Sequence, residues 1–221
     1  MQSTNPFVPV TDWDAAYAAE PEALKFGGVP TLIATSALNY FRDFGGEPKS
    51  AAALDVGCGE GRDTVFLAHA GFHVTACDMS APGLAKLERR VEREHLAKHL
   101  VQTQLADLTT FDLQADSYDM VIAANVLQFL RPQDVPTQIA KLKQSVKPGG
   151  MIGIGVFHPK MIDWGAKVDG HFTATADELK LNFDVNHWII VDETEYTIYR
   201  PHDQSYAAFA FVVAHRRTLS Q

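Results

Sequence analysis

The stretch LDVGCGEGRDT, residues 54–64, decides the fold. It starts inside a short apolar run, residues 51–56, that predicts a buried strand, and it continues into residues 62–70, which predict a helix ending at Gly71. The glycines between them are typical of a tight turn that brings the backbone close to a ligand. The free N–H groups at the start of the helix favour an anionic group there. We therefore expect a strand–turn–helix unit that binds a ligand.

The same alternation continues along the chain. Further strands are predicted at residues 73–77, 101–106, 118–124 and 151–157, and helices at residues 31–41, 82–96 and 135–145. Two longer strand-like runs, residues 188–199 and 206–216, flank a turn and predict an antiparallel hairpin. The sequence thus predicts an α/β fold with a doubly wound, seven-stranded, mostly parallel sheet and a C-terminal antiparallel hairpin.

Composition narrows the class of protein. The chain has 221 residues, of which 46% are apolar and 21% charged, which excludes a disordered chain. The net charge of −8 disfavours a nucleic-acid partner. The apolar runs are too short to span a membrane, and the N-terminal stretch lacks the pattern of a signal peptide. Two cysteines, Cys58 and Cys77, predict a reducing, cytoplasmic location without disulfides.

An acid follows the second predicted strand. Asp78 lies 17 residues after Gly61. Nucleotide-binding α/β folds place an acid about 20 residues after the glycine turn, where it accepts hydrogen bonds from ribose hydroxyls. The alternative is that Asp78 only caps the helix that begins near Ala81.

The glycine spacing separates two kinds of cofactor. Dinucleotide-binding turns read G-x-G-x-x-G, whereas Gly57, Gly59 and Gly61 read G-x-G-x-G. Asp55 precedes the first glycine by two residues; its carboxylate would repel a pyrophosphate but accept a hydrogen bond from an ammonium group. The pattern therefore predicts a nucleoside that carries an amino acid.

LDVGCGEGRDT resembles the first motif of class I S-adenosylmethionine-dependent methyltransferases. Residues 106–108, 118–130 and 146–150 are similar to later motifs, so the resemblance covers residues 51–157. It implies S-adenosylmethionine as cofactor, with the methionine part at the glycine turn, the ribose on Asp78 and adenine at Asp107 and Leu108. The implied cofactor residues are Asp55, Gly57, Gly59, Gly61, Arg62, Asp78, Met79, Asp107, Leu108, Asn125 and Val126.

A narrower resemblance, to the TehB-type tellurite-resistance methyltransferases, rests on GCGEGRDT, LAHAGFHVTACD and the ending FTATADELKLNF…TEYTIYRPHD…FAFVVAHRR. It implies an anionic thiol, selenium or tellurium species as acceptor. The C-terminal His-Arg pair of that group appears as Tyr199-Arg200, so only the arginine is kept; His202 follows two residues later. One domain, residues 1–221, then comprises a helical cap (1–45), a cofactor-binding core (51–157) and a substrate-side helix with the hairpin (158–221).

The reaction with the methyl acceptor depends on how the acceptor is positioned. Methyl transfer from a sulfonium is an in-line displacement that needs alignment but no general acid. An anionic acceptor needs a cation. We expect Arg200, in the turn between two strands, as the catalytic residue and Arg62, beside the cofactor loop, as a second candidate, unless each is a solvated surface charge. Further candidates follow the strand ends: Asn125, Gln128, His158, Asp163 and Trp164.

Other patterns leave alternatives open. Trp13 and Tyr17, four residues apart on one helix, either form a lid or pack the helix onto the core. His95 and His99 lie among charged residues and indicate a solvated helix face, so no metal site is predicted. The rival functions are an NAD-dependent oxidoreductase and a non-catalytic binding module. The expected partner is a small molecule, with neither nucleic acid nor membrane, and no pattern sets an oligomeric state.

Overall fold

The computed structural model describes residues 12–20, 22–163, 170–200 and 205–218. Its helices are α1 (Trp13–Ala18), α2 (Leu32–Asp43), α3 (Arg62–Ala70), α4 (Ala81–Arg93), α5 (Val135–Ser145), α6 (Lys160–Asp163) and α7 (Ala176–Lys180). The strands are β1 (Ala52–Val56), β2 (His73–Asp78), β3 (Val101–Leu105), β4 (Tyr118–Ala124), β5 (Val146–Phe157), β6 (Trp188–Arg200) and β7 (Ser205–Arg216).

The described strands form one seven-stranded sheet in the order β3-β2-β1-β4-β5-β7-β6. The first five are parallel, and β7 is antiparallel to both β5 and β6. The predicted α/β fold with a C-terminal antiparallel pair is confirmed. The order of strands reverses between β1 and β4, and open α/β sheets bind ligands at the carboxyl ends of the strands beside such a reversal.

Caps explain why the helices begin and end where they do. The hydroxyl of Thr31 accepts the N–H of Ala34 at the start of α2, and Ser80 caps α4 in the same way. The helix α3 lies between Gly61 and Gly71, which have φ of 79° and 110°, a left-handed conformation that glycine adopts without a steric penalty.

The strand β5 starts earlier than predicted. The sequence predicts a strand over residues 151–157, but β5 begins at Val146 and includes Lys147-Pro148-Gly149-Gly150. Val146 pairs with Tyr118 and Met151 pairs with Met120, so the glycines make a bulge and the ladder then resumes.

Apolar side chains cover both faces of the sheet. One face packs against α2 and α3 and the other against α5 and α7. The clusters include Ile33, Leu38, Phe41 and Leu67 on the first face, and Ile139, Leu142, Leu179 and Trp188 on the second. Within the described ranges, no helix combines the length and the apolar character that a bilayer-spanning segment requires.

Candidate functional site

A cavity of about 1090 Å³ lies at the carboxyl ends of the parallel strands, beside the reversal between β1 and β4. Its volume is slightly above the usual range for small-molecule sites, about 300–1,000 Å³. Nine of the predicted cofactor residues border it: Asp55, Gly57, Arg62, Asp78, Met79, Asp107, Leu108, Asn125 and Val126.

The glycine turn is packed closely on both sides. A Cβ added to Gly57 would lie 2.3 Å from Val126 Cγ2, and one added to Gly59 would lie 2.2 Å from Tyr17 Oη. Gly59 and Gly61 do not border the cavity, because Tyr17 and Leu87 cover them. These two glycines therefore shape the turn from behind its ligand-facing side.

Asp78 joins the ends of β1 and β2. Its Oδ2 accepts the N–H of Gly59 at 2.7 Å, and its Oδ1 accepts the N–H of Ser80 at 2.8 Å. The cap of α4 is Ser80 itself, whose hydroxyl accepts the N–H of Gly83. Burial raises the pKa of Asp78, while the two backbone bonds favour its charged form. Asp78 thus holds the glycine turn and also presents a carboxylate to the cavity.

Asp55 lies beneath the turn. Its side chain is buried, and the hydroxyl of Thr64 donates to its Oδ2 at 2.6 Å. Burial and the neighbouring carboxylate of Asp63 raise the pKa of Asp55. Asp63 in turn accepts the N–H and the hydroxyl of Thr31, at 2.7 and 2.8 Å. An ammonium group near Asp55 would favour its ionised form.

The segment after β3 forms another side of the cavity. Leu108 is buried, and the Oδ1 of Asp107 accepts both the N–H and the hydroxyl of Thr109 at 2.8 Å. Met79, after β2, is 60% exposed at the cavity border. This side combines an apolar surface with a carboxylate.

Asn125 follows β4 in a left-handed conformation, with φ of 58°. Asparagine tolerates this region better than most residues, and such outliers occur at binding sites. Its backbone N–H donates to Gly155 at 2.9 Å. Its Oδ1 is buried, and no group in the described part of the chain donates to it. A bound molecule that donates a hydrogen bond would satisfy this oxygen.

The N-terminal segment covers the turn. Tyr17 is 5% exposed, and both Trp13 and Tyr17 border the cavity, so the helix α1 packs onto the core and covers the site as well. Burial raises the pKa of the Tyr17 hydroxyl. The packing of Tyr17 on the core agrees with one of the two sequence hypotheses, and the lid stays a prediction.

Sequence reasoning missed Glu60, which lies between two glycines of the turn. Its buried carboxylate accepts the N–H of Lys25 at 2.9 Å and that of Phe26 at 2.6 Å. The ammonium of Lys86 lies 3.5 Å from Glu60 Oε2, and both side chains are almost fully buried. Glu60 therefore attaches the N-terminal segment to the turn. The sequence signal was an ionisable residue in a turn where only small residues were expected.

The predicted acceptor-side residues are dispersed. Arg62 and Gln128 border the cavity, whereas His158 is buried elsewhere, with its Nε2 3.1 Å from Glu195 Oε2. The backbone of Arg200 pairs with Ser205 at the end of β6. The side chains of Arg200 and Asp163, and the whole of Trp164 and His202, lie outside the described residues.

Aromatic rings that the sequence did not single out also line the cavity: Phe26, Phe129, Phe157 and Phe209. His95 and His99 do not border the cavity. Across the ranges that the structure describes, no group of three or more His, Cys, Asp or Glu could hold a metal ion.

Comparison with solved structures supports the fold. The crystal structure of TehB from Haemophilus influenzae has a TM-score of 0.67 at 22% identity, covering 93% of this chain and 67% of that chain. A methyltransferase from Burkholderia thailandensis, solved with bound 1,6-didemethyltoxoflavin and S-adenosylhomocysteine, has a TM-score of 0.62 at 19% identity, covering 84% of this chain and 78% of that chain. At these identities the likeness establishes the fold alone.

Sequence comparison supports the family. The "Probable S-adenosyl-L-methionine-dependent methyltransferase TehB" of Haemophilus influenzae is 33% identical over 97 residues, which cover 44% of this chain and 32% of that protein. The matched region thus spans about a third of the length of this relative. The family model described as tellurite resistance protein TehB matches residues 47–203. Because that match covers more than two thirds of the chain, the protein belongs to the TehB family.

Proposed function

We propose that this protein binds S-adenosylmethionine and transfers its methyl group to a small-molecule acceptor. One observation carries the proposal: the glycine turn, two carboxylates and an amide meet around one cavity at the reversal of strand order. The carboxylates are Asp55 and Asp78, and the amide is Asn125. The family relatives and the neighbour crystallised with S-adenosylhomocysteine support the same cofactor.

The donor set fits an adenosyl amino acid. Asp55 would accept from the ammonium group, and Gly57 leaves the backbone open to the methionine part. Each oxygen of Asp78 uses one backbone hydrogen bond, so lone pairs remain for the ribose hydroxyls. Met79, Asp107 and Leu108 would surround adenine, and Asn125 and Val126 would lie near the methyl group.

Bound S-adenosylmethionine would supply a methyl group on a positively charged sulfur, which leaves as a neutral thioether. The chain then needs to align the acceptor and exclude water, and orientation can lower the barrier by up to about 7–11 kcal/mol. Trp13 and Tyr17 cover the cavity and limit its contact with solvent. The acceptor that we propose is an anionic thiol, selenium or tellurium species, with Arg62 and Arg200 as its cationic partners; the family description, which names tellurite resistance, is in keeping with it.

Calorimetric titration with S-adenosylmethionine, S-adenosylhomocysteine and NAD tests the cofactor. We expect binding of the first two and none of NAD. Asp78→Asn should weaken S-adenosylhomocysteine binding by about 10–100-fold, because one ribose acceptor is lost and an amide donor would face a backbone N–H. Asp112→Asn, at an exposed aspartate beyond β3, is the matched control and should bind normally.

Activity is tested with methyl-labelled cofactor and a panel of 2-mercaptoethanol, thiophenol, selenite and tellurite. Methylation of at least one acceptor is expected. Micromolar binding of NAD without binding of S-adenosylmethionine would contradict the proposal. Tight cofactor binding without transfer to any acceptor would favour a non-catalytic binding module.

A further inference from the structure

The part of the cavity near the ends of β4 and β5 and along β7 has aromatic walls. We call it the aromatic end, and define it by Phe129, Phe157 and Phe209. Ring centroids are 5.0 Å apart for Trp13 and Phe129, 5.9 Å for Phe129 and Phe157, and 5.7 Å for Phe157 and Phe209. The rings therefore form a continuous apolar surface from the N-terminal segment to the terminal strands.

The aromatic end is separate from the proposed adenosine side. Phe157 ends β5 and Phe209 lies in β7, whereas Asp78 ends β2. The sheet order places β1, β4 and β5 between β2 and β7. At a spacing of about 4.8 Å between strands, Asp78 and Phe209 belong to strands roughly 19 Å apart. Two ligands can therefore occupy the two ends of the cavity.

A buried amide lies next to these rings. Gln128 is 1% exposed and borders the cavity, and its backbone oxygen lies 2.8 Å from His171 Nδ1. Yet among the described residues, neither Oε1 nor Nε2 of its side chain has a hydrogen-bond partner, and the same is true of Asn125 Oδ1. Leaving such atoms unsatisfied is costly, so native proteins retain them where a ligand supplies the partner.

The chemistry of these walls selects the ligand. The three rings of the aromatic end carry no charge and would stack against a flat, neutral body, whereas burying a formal charge there without a partner would be costly. An amide side chain pairs best with a group that offers both a donor and an acceptor. An uncharged planar heterocycle with an amide-like edge has both properties.

We infer that the aromatic end accepts a second class of acceptor, a neutral heteroaromatic thione, in which a ring N–H donates to Gln128 and the adjacent C=S sulfur is methylated. This inference rests on the proposed function, since it requires a bound methyl donor. A thione needs no general base before attack, which suits a wall built of aromatic rings and amides.

Methyl transfer to the thione makes one bond to sulfur and breaks another. A lone pair of the thione sulfur forms the new S–C bond to the methyl carbon, while the old C–S bond breaks and its electron pair stays on the departing sulfur. The positive charge passes from the sulfonium to the heterocycle, which then releases its ring N–H proton to water as a neutral methyl thioether. The faces of Phe129 and Phe157 would stabilise this transient cation.

A pair of matched probes tests the inference. The protein is saturated with S-adenosylhomocysteine and titrated with benzimidazole-2-thione or with its 1,3-dimethyl derivative, which keeps the planar shape and the sulfur but lacks N–H groups. Binding is followed by calorimetry and by the fluorescence of Trp13 and its neighbours. We expect the N–H compound to bind at least about tenfold more tightly, because only this compound satisfies the buried amide.

Gln128→Leu should abolish this discrimination and bring the ratio of the two affinities close to one. The variant should fold, since it replaces an unpartnered buried amide with an apolar side chain of similar size. Gln104→Leu is the control: Gln104 lies half-buried in β3 and does not border the cavity, so its loss should leave the ratio unchanged. Labelled methyl donor should convert benzimidazole-2-thione to its S-methyl product.

Equal affinity for the two thiones, discrimination that survives Gln128→Leu, or binding of the thione without S-methylation would each overturn the inference. These results are distinguishable from failure of the proposed function, because S-adenosylhomocysteine binding is measured first. The protein could bind S-adenosylhomocysteine and methylate selenite or thiophenol, yet neither bind nor methylate the thione. In that case the proposed function stands and this inference is wrong.

Discussion

Gly59→Ala, with and without Tyr17→Phe, tests how the N-terminal segment covers the glycine turn. The φ of Gly59 is +53°, and placing an alanine there costs about 1–2 kcal/mol of strain. The new Cβ would also lie 2.2 Å from Tyr17 Oη and 3.0 Å from Tyr17 Cζ. Overpacking of this kind costs about 1–3 kcal/mol. The single variant should therefore lose about 2–5 kcal/mol of stability.

Removing the Tyr17 hydroxyl should relieve the 2.2 Å contact but neither the 3.0 Å contact with Cζ nor the backbone strain. In urea denaturation followed by tryptophan fluorescence, the double variant should recover about 1–2 kcal/mol relative to the sum of the single variants. Gly61→Ala is the matched control, since its φ is +79° but its Cβ would meet Leu87 Cδ1 at 2.2 Å. Tyr17→Phe should not rescue it.

Strictly additive effects of Gly59→Ala and Tyr17→Phe would refute this reasoning, because they would mean that the tyrosine ring does not lie on the turn. Equal rescue of Gly61→Ala would refute it as well, since the recovery would then not depend on a contact with Tyr17. Affinity for S-adenosylhomocysteine should follow the same pattern, because a displaced Tyr17 opens the cavity to solvent.

Three further changes have outcomes set by the site. Glu60→Gln should lower the free energy of unfolding in urea by about 3–5 kcal/mol, because it leaves the Lys86 ammonium buried without its carboxylate. The control Glu92→Gln, in an exposed ion pair, should lower it by less than about 1 kcal/mol. Equal losses would contradict the role of Glu60 in attaching the N-terminal segment to the turn. The pKa of Asp55 is raised on folding, so the unliganded protein binds more protons than the unfolded chain above about pH 4 and its stability should fall as the pH rises. Asp55→Asn should flatten that fall between pH 5 and pH 8, and parallel curves would refute the assignment. Asn125→Gly should keep or raise the melting temperature, since it removes the strain of a left-handed backbone and an unpartnered side-chain oxygen. The same change should lower kcat/KM by about tenfold or more. An unchanged kcat/KM would exclude a role of Asn125 near the methyl group.

Local signals predicted most of the architecture. The bounds of α3 followed from glycines that take left-handed conformations at both ends, and α5 ended where predicted, at Ser145. The placement of Asp78 and Asn125 at one cavity was also predictable, because the carboxyl ends of parallel strands meet at one edge of the sheet. These features depend only on the periodicity of a strand or helix and on the residue that ends it.

Contacts between distant segments could not be predicted in this way. Glu60 binds backbone groups more than thirty residues earlier in the chain, and nothing near it in the sequence indicates that partner. The wall formed by Phe157 and Phe209 depends on pairing β7 beside β5, which periodicity does not specify. The start of β5 was missed because a Pro-Gly-Gly run usually ends a strand, whereas here the ladder continues past a bulge.

The insertion of β7 between β5 and β6 has a consequence for biosynthesis. During translation, β5 and β6 leave the ribosome before the strand that joins them, so the nascent chain holds an open, apolar β5 edge until about residue 216 has emerged. Unpaired edges of this kind recruit other chains. Released chains truncated between residues 200 and 205 should therefore aggregate or depend on chaperones, whereas chains truncated just after Arg216 should not.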